Sequence, residues 1–144
     1  MTIEEIANYI VSDGKGILAA DESNPTCGKR FDSIGVESTE ENRRDYREML
    51  FRSEGMKGNI GGVILFDETI RQAASDGTLL RDLISSQGAL PGIKVDKGLQ
   101  QIENCPGETV TVGLDGLSER LKEYAEMGAK FTKWRAVINL SLIH

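Results

Sequence analysis

The chain has 144 residues, 39% of them hydrophobic, which is one domain's worth of sequence with enough apolar side chain for an ordinary core. Its net charge of -6 repels nucleic acid and anionic membrane surfaces, so any anionic ligand has to be met by basic residues gathered locally. No apolar run reaches the length of about 18 residues that a membrane span needs, and no basic stretch followed by an apolar one opens the chain, so the expectation is a cytoplasmic protein.

Cys27 and Cys105 lie far apart, with no C-x-x-C spacing and no histidine near either, which predicts two free thiols. The only histidine is His144. A histidine-ligated metal, a Ser-His-Asp group and a Cys-His pair are therefore not expected, and no metal or cofactor is assigned. The chemistry has to run on carboxylates, lysines and arginines.

In chain order, Ile3, Ile6, Ala7, Ile10 and Val11 recur at the spacing of one helix face, with Thr2 as N-cap and Gly14 as stop. Residues 16–21 (GILAAD) form a short apolar run, as in a strand covered on both faces. A long polar loop is expected over 22–37. A helix over 40–51 follows, capped by Thr39, with Tyr46, Met49 and Leu50 at helical spacing.

A second strand is expected over 62–66, a helix over about 79–86, and a third strand over 92–96. Lys94 interrupts that third run from inside, so it has to face water or an anion. After a loop over 98–113, Leu117, Leu121, Tyr124 and Ala125 mark a helix ending at Gly128, and residues 131–138 read as a fourth strand. Period-two alternation puts Lys133 and Arg135 on one side of it, and Lys94 and Asp96 on one side of the third.

Strands alternating with helices predict an α/β fold with a parallel sheet. A doubly wound open sheet would be complete at this length, whereas a closed (β/α)8 barrel needs about 250 residues. Residues 131–144 carry a strand and no helix after it, so the expected architecture is the N-terminal half of a barrel, truncated after its fourth strand. Gly14, Gly16 and Ala19 match G-x-G-x-x-A, but they follow a helix and open a strand, the reverse of a dinucleotide site. Charged residues at the carboxyl ends of parallel strands mark where such folds keep their active sites. Asp21 by itself is equally an N–H-capping loop residue, and the charges together could be a structural ion-pair network. Three basic side chains, Lys94, Lys133 and Arg135, against two acids, Asp21 and Asp96, favour an anionic ligand.

The segments GKGILAADES (14–23), ESTEENRRDYREML (37–50), IGGVILFDET (60–69), GIKVDKG (92–98), GLDGLSER (113–120) and FTKWRAV (131–137) resemble class I fructose-bisphosphate aldolase, colinearly and over nearly the whole chain. The resemblance implies a (β/α)8 barrel enzyme, usually a homotetramer. It reversibly cleaves fructose 1,6-bisphosphate to dihydroxyacetone phosphate and glyceraldehyde 3-phosphate through a lysine Schiff base, without a metal. It also implies that Asp21 transfers the proton of the substrate's C4 hydroxyl. Lys133 then stabilises negative charge developing there. Glu22, Ser23, Thr26, Lys94, Asp96 and Arg135 line the same phosphorylated-sugar site, and Lys29 and Arg30 bind the phosphate distal to the Schiff base.

The sequence departs from the family at 24–28 (NPTCG), where Thr26 takes the place of a serine and Pro25 enters, and at 139–144. The Schiff-base lysine, the glutamates of the carbinolamine steps and the second phosphate site belong to strands that the resemblance places later. The chain alone is therefore expected to be inactive. A non-catalytic half-barrel binding module is the alternative reading.

Overall fold

Helix α1 (Ile3–Val11) starts at Thr2, whose hydroxyl accepts the Glu5 N–H while the Glu5 carboxylate accepts the Thr2 N–H, so two orphan donors are satisfied reciprocally. The computed structural model describes residues 1–138. The expectations for 139–144, including His144, lie outside the described residues. Strand β1 (Gly16–Ala20) follows, then α2 (Asn24–Asp32), α3 (Glu40–Phe51), β2 (Ile60–Leu65), α4 (Asp67–Arg71), α5 (Leu80–Ser86) and β3 (Leu90–Lys94). A hairpin of β4 (Leu99–Gln101) and β5 (Thr109–Thr111) precedes α6 (Leu117–Glu126) and β6 (Phe131–Lys133).

The main sheet has the order β1-β2-β3-β6, with every pair parallel. Successive strands are laid down in one direction, without the reversal that defines a doubly wound sheet. Ala20, Val63, Leu65, Ile93 and Val95 point to one face, where they are buried with Ile70, Leu80, Ile84 and Tyr124 of the covering helices. The opposite face is far barer. Ile17 on it is 44% exposed, and α1 covers only part: Ile3 and Val11 remain in solvent and α1 buries no residue fully, despite the apolar stripe.

Several elements correct the sequence expectation. The loop over 22–37 contains α2, a helix with little apolar character that starts on Ser23 with Pro25 in its first turn and buries Cys27 and Phe31. The loop over 98–113 holds the β4–β5 hairpin, and the short α4 follows β2. On α3 the buried residues are Arg47, Glu48 and Phe51, while Met49 is exposed; Arg47 pairs with Glu22, and Glu48 with Arg52 and Ser75. Strand β6 stops at Lys133, so Arg135 lies beyond it.

Candidate active site

The register of the sheet explains why the charged residues meet. Ala20 pairs with Leu65, Leu65 with Ile93 and Ile93 with Thr132, so these four form one row. The next residue of each strand points to the opposite face by the period-two rule. That row is Asp21, Phe66, Lys94 and Lys133, with Lys94 paired directly to Lys133. Three charges thus share one layer at the carboxyl edge of the sheet.

They open onto a cleft of about 860 Å³ lined also by Glu22, Ser23, Thr26, Asp96, Lys97 and Arg135. Lys133 Nζ donates to Asp21 Oδ2 at 2.6 Å, with the aspartate side chain 11% exposed and the lysine 34%. Lys94 Nζ donates to Asp96 Oδ1 at 2.9 Å and to the Asp96 carbonyl at 3.0 Å, and the Gly98 N–H adds to Oδ1 at 3.2 Å. Burial pushes the Asp96 carboxyl up, but the Lys94 ammonium and the backbone N–H groups of Gly98 and Arg135 outweigh it and hold Asp96 below the usual carboxylate range. Asp96 Oδ2 is buried and has no hydrogen-bond partner among the described residues, so it is an open acceptor.

Of the cleft's cations, Lys94 and Lys133 are paired with carboxylates, whereas Lys97 and Arg135 have no carboxylate partner among the described residues. Lys97, inside the GIKVDKG segment, joins the cleft lining beyond the strand-end residues that the sequence points to. Ser23 Oγ and Thr26 Oγ1 stand 3.1 Å apart on the cleft wall at the start of α2. Lys29 is exposed on α2 outside the cleft lining, and Arg30 turns onto Glu22 and Tyr46 instead of the cleft. Glu22 is itself held, by Arg30 and by the buried Arg47.

The far wall carries side chains that strand-end reasoning did not reach. Tyr124 donates to Asp67 Oδ1 at 2.9 Å, and Arg71 bridges Asp67 and Glu123. Arg120 ties the Val95 and Gly113 carbonyls together, bracing the end of β3 against the entry to α6. Both cysteines are free, Cys27 buried and Cys105 exposed. Among the described residues no group of three His, Cys, Asp or Glu side chains is arranged to hold a metal ion, and no helix is long and apolar enough to cross a membrane.

Comparison with known proteins gives this arrangement a family. The family model described as fructose-bisphosphate aldolase class-I matches residues 2–143. The chain is 55% identical over 141 residues to the cytosolic fructose-bisphosphate aldolase 6 of Arabidopsis thaliana, covering 96% of this chain and 39% of that protein. It is 54% identical over 138 residues to fructose-bisphosphate aldolase 1 of Toxoplasma gondii, covering 96% and 38%. A solved structure of the Plasmodium falciparum fructose-bisphosphate aldolase, in complex with TRAP and a small-molecule inhibitor, superposes with a TM-score of 0.89 at 50% identity, covering 91% of this chain and 38% of that one. The chain thus spans about two fifths of the length of these relatives. With a match of that extent and identity, the chain belongs to the class-I fructose-bisphosphate aldolase family.

Proposed function

We propose that residues 1–144 are the N-terminal half of a (β/α)8 barrel and form the proton-transfer and anion-binding wall of a cytoplasmic fructose-bisphosphate aldolase. The observation that carries this reading is the Asp21–Lys133 contact at 2.6 Å, in a cleft where the Lys97 and Arg135 side chains have no carboxylate partner among the described residues. In retro-aldol cleavage the C3–C4 bond breaks as a base takes the C4 hydroxyl proton. The bonding pair passes to C3 and into the protonated imine formed with the substrate carbonyl.

Asp21 is the base in this scheme, and the Lys133 ammonium stabilises the oxygen as it loses its proton. Asp96 Oδ2 accepts a sugar hydroxyl, Lys94 orients Asp96, and Arg135 takes a phosphate oxygen. Ser23 and Thr26 offer hydroxyl donors from the start of α2, and Glu22 serves the site by fixing the loop. Lys29 and Arg30 reach the distal phosphate only if Arg30 leaves Glu22. The lysine that forms the imine belongs to strands beyond this chain, and the full-length protein is expected to be a homotetramer like most of the family.

The test joins residues 1–138 to the remaining strands of the Arabidopsis relative and measures steady-state cleavage. Asp21→Asn or Lys133→Ala is expected to cut turnover by about a hundredfold or more. Near-normal turnover in either variant would sink the assignment. The 144-residue chain alone is expected to cleave no fructose 1,6-bisphosphate and to trap no borohydride adduct with dihydroxyacetone phosphate; an adduct on Lys94, Lys97 or Lys133 overturns that.

A further inference from the structure

Arg47 sits on α3 with 2% exposure, among the largest fully buried side chains of the protein. A guanidinium is rarely buried to that extent unless its donors are taken up. Here Nε donates to the Ala20 carbonyl at 2.9 Å and Nη2 to the Glu22 carbonyl at 3.0 Å. Nη1 meets Cys27 Sγ at 3.2 Å. Nη2 also stands 2.9 Å from Glu22 Oε2, where it makes an ion pair and not a hydrogen bond.

The two carbonyls belong to the residues on either side of Asp21. The pairing of β1 with β2 runs as far as Ala20 and Leu65, and α2 begins at Asn24, so Asp21 lies between two regular elements. We infer that Arg47 is the positioning residue of Asp21: one rigid planar fork grips the backbone before and after the aspartate and aims its carboxylate at Lys133. A lysine at 47 would keep the charge but offer a single point of attachment where the guanidinium offers three separate nitrogens. The inference rests on the reading of Asp21 as the proton-transfer residue, but it makes a claim about geometry that can be tested without turnover.

The experiment follows reductive methylation of Lys133 in the 144-residue chain by mass spectrometry, with the exposed Lys97 as internal reference. An amine held by Asp21 reacts slowly. Arg47→Met is expected to raise the Lys133 rate relative to Lys97 by about threefold or more, the order of change when a partly exposed ion pair is released. Arg47→Lys should raise it by an intermediate amount. Leu83→Ala, a core truncation on α5 away from Asp21, should leave the ratio unchanged, which separates positioning from general loosening. An Arg47 variant that folds and keeps the wild-type ratio overturns the inference. If neither variant folds, the wild-type chain decides it: the Arg47 Nε–H should exchange far more slowly than that of Arg135, whose side chain has no carboxylate partner among the described residues, and equal exchange overturns it. Failure of the Asp21→Asn turnover test would remove the proton-transfer role while leaving this result standing.

Discussion

Asp21 and Lys133 meet at 2.6 Å although their strands are not neighbours: β1 and β6 are the two outer strands of the sheet. In a flat sheet, strands three places apart stand about 14 Å from one another. That is more than an aspartate, a lysine and the bond between them span, so the sheet curves and the charged layer lies on its concave side. The pair should therefore act as a tie across the curve. A double-mutant cycle of Asp21→Asn and Lys133→Met in urea denaturation is expected to give a coupling of about 0.5–1 kcal/mol, modest because Lys133 remains partly exposed. A coupling indistinguishable from zero would mean that the two side chains do not hold one another in solution.

The same concave face is closed at a lower level by an aromatic ring. A Cβ built on Gly62 would lie 3.0 Å from the Phe131 ring, and one built on Gly92 would run into that ring outright. Gly92→Ala is expected to cost about 1–3 kcal/mol by overpacking. Because the obstacle is a side chain, adding Phe131→Ala should relieve it. The double variant should be less destabilised than the two singles predict by about 1 kcal/mol or more in thermal or urea melts. Simple additivity would show that the ring moves aside at no cost.

How much of this could be read beforehand depended on which force placed each residue. The strand-end charges were legible in part because alternation along a strand is rigid: once residues 92–96 and 131–138 read as strands, Lys94 had to side with Asp96 and Lys133 with Arg135, whereas bringing them to the face of Asp21 is the work of the sheet register, which no single strand carries. Helix α2 was not legible from apolar periodicity, since only Cys27 and Phe31 are buried on it. The usable signal was Ser23 followed by Pro25, a serine at the N-cap position with proline in the first turn, although the Ser23 hydroxyl makes no cap bond to the backbone. Arg47 was missed for the opposite reason: a charge inside ENRRDYRE looks like a solvated face, and its burial is set by carbonyls 25 and 27 residues away in sequence. The apolar stripe of α1 was legible, but how little of it the described residues cover was not.

Glu48 makes a pH-dependent contribution to stability whose sign follows from its partners. The Ser75 backbone N–H, at 2.8 Å, is foremost in holding its carboxyl below the ordinary 4.5; burial opposes this, and Arg52 and the Ser75 hydroxyl reinforce it. A carboxyl with a lowered native value stabilises the fold fully above its unfolded value and loses that contribution as pH falls through the native one. Glu48→Gln is therefore expected to be less stable than wild type at neutral pH, with the gap closing as acidification carries the pH down through the lowered native value. A gap that persists unchanged into acid would assign the loss to packing instead of ionisation.

The two thiols should differ sharply in reactivity. Cys105 is exposed in the hairpin connection, whereas Cys27 has no exposure at all and its sulfur lies against Arg47. A disulfide reagent added to the native chain is expected to titrate one thiol at once and the second only as the structure opens, since a buried sulfur reacts at the rate of local or global unfolding. The slow phase then reports on the region that holds Asp21, because Cys27, Ala20 and Glu22 all meet the same guanidinium. Arg47→Met should speed the Cys27 phase and leave Cys105 alone. Two thiols reacting together in the native chain would mean that α2 is not docked on α3 as described.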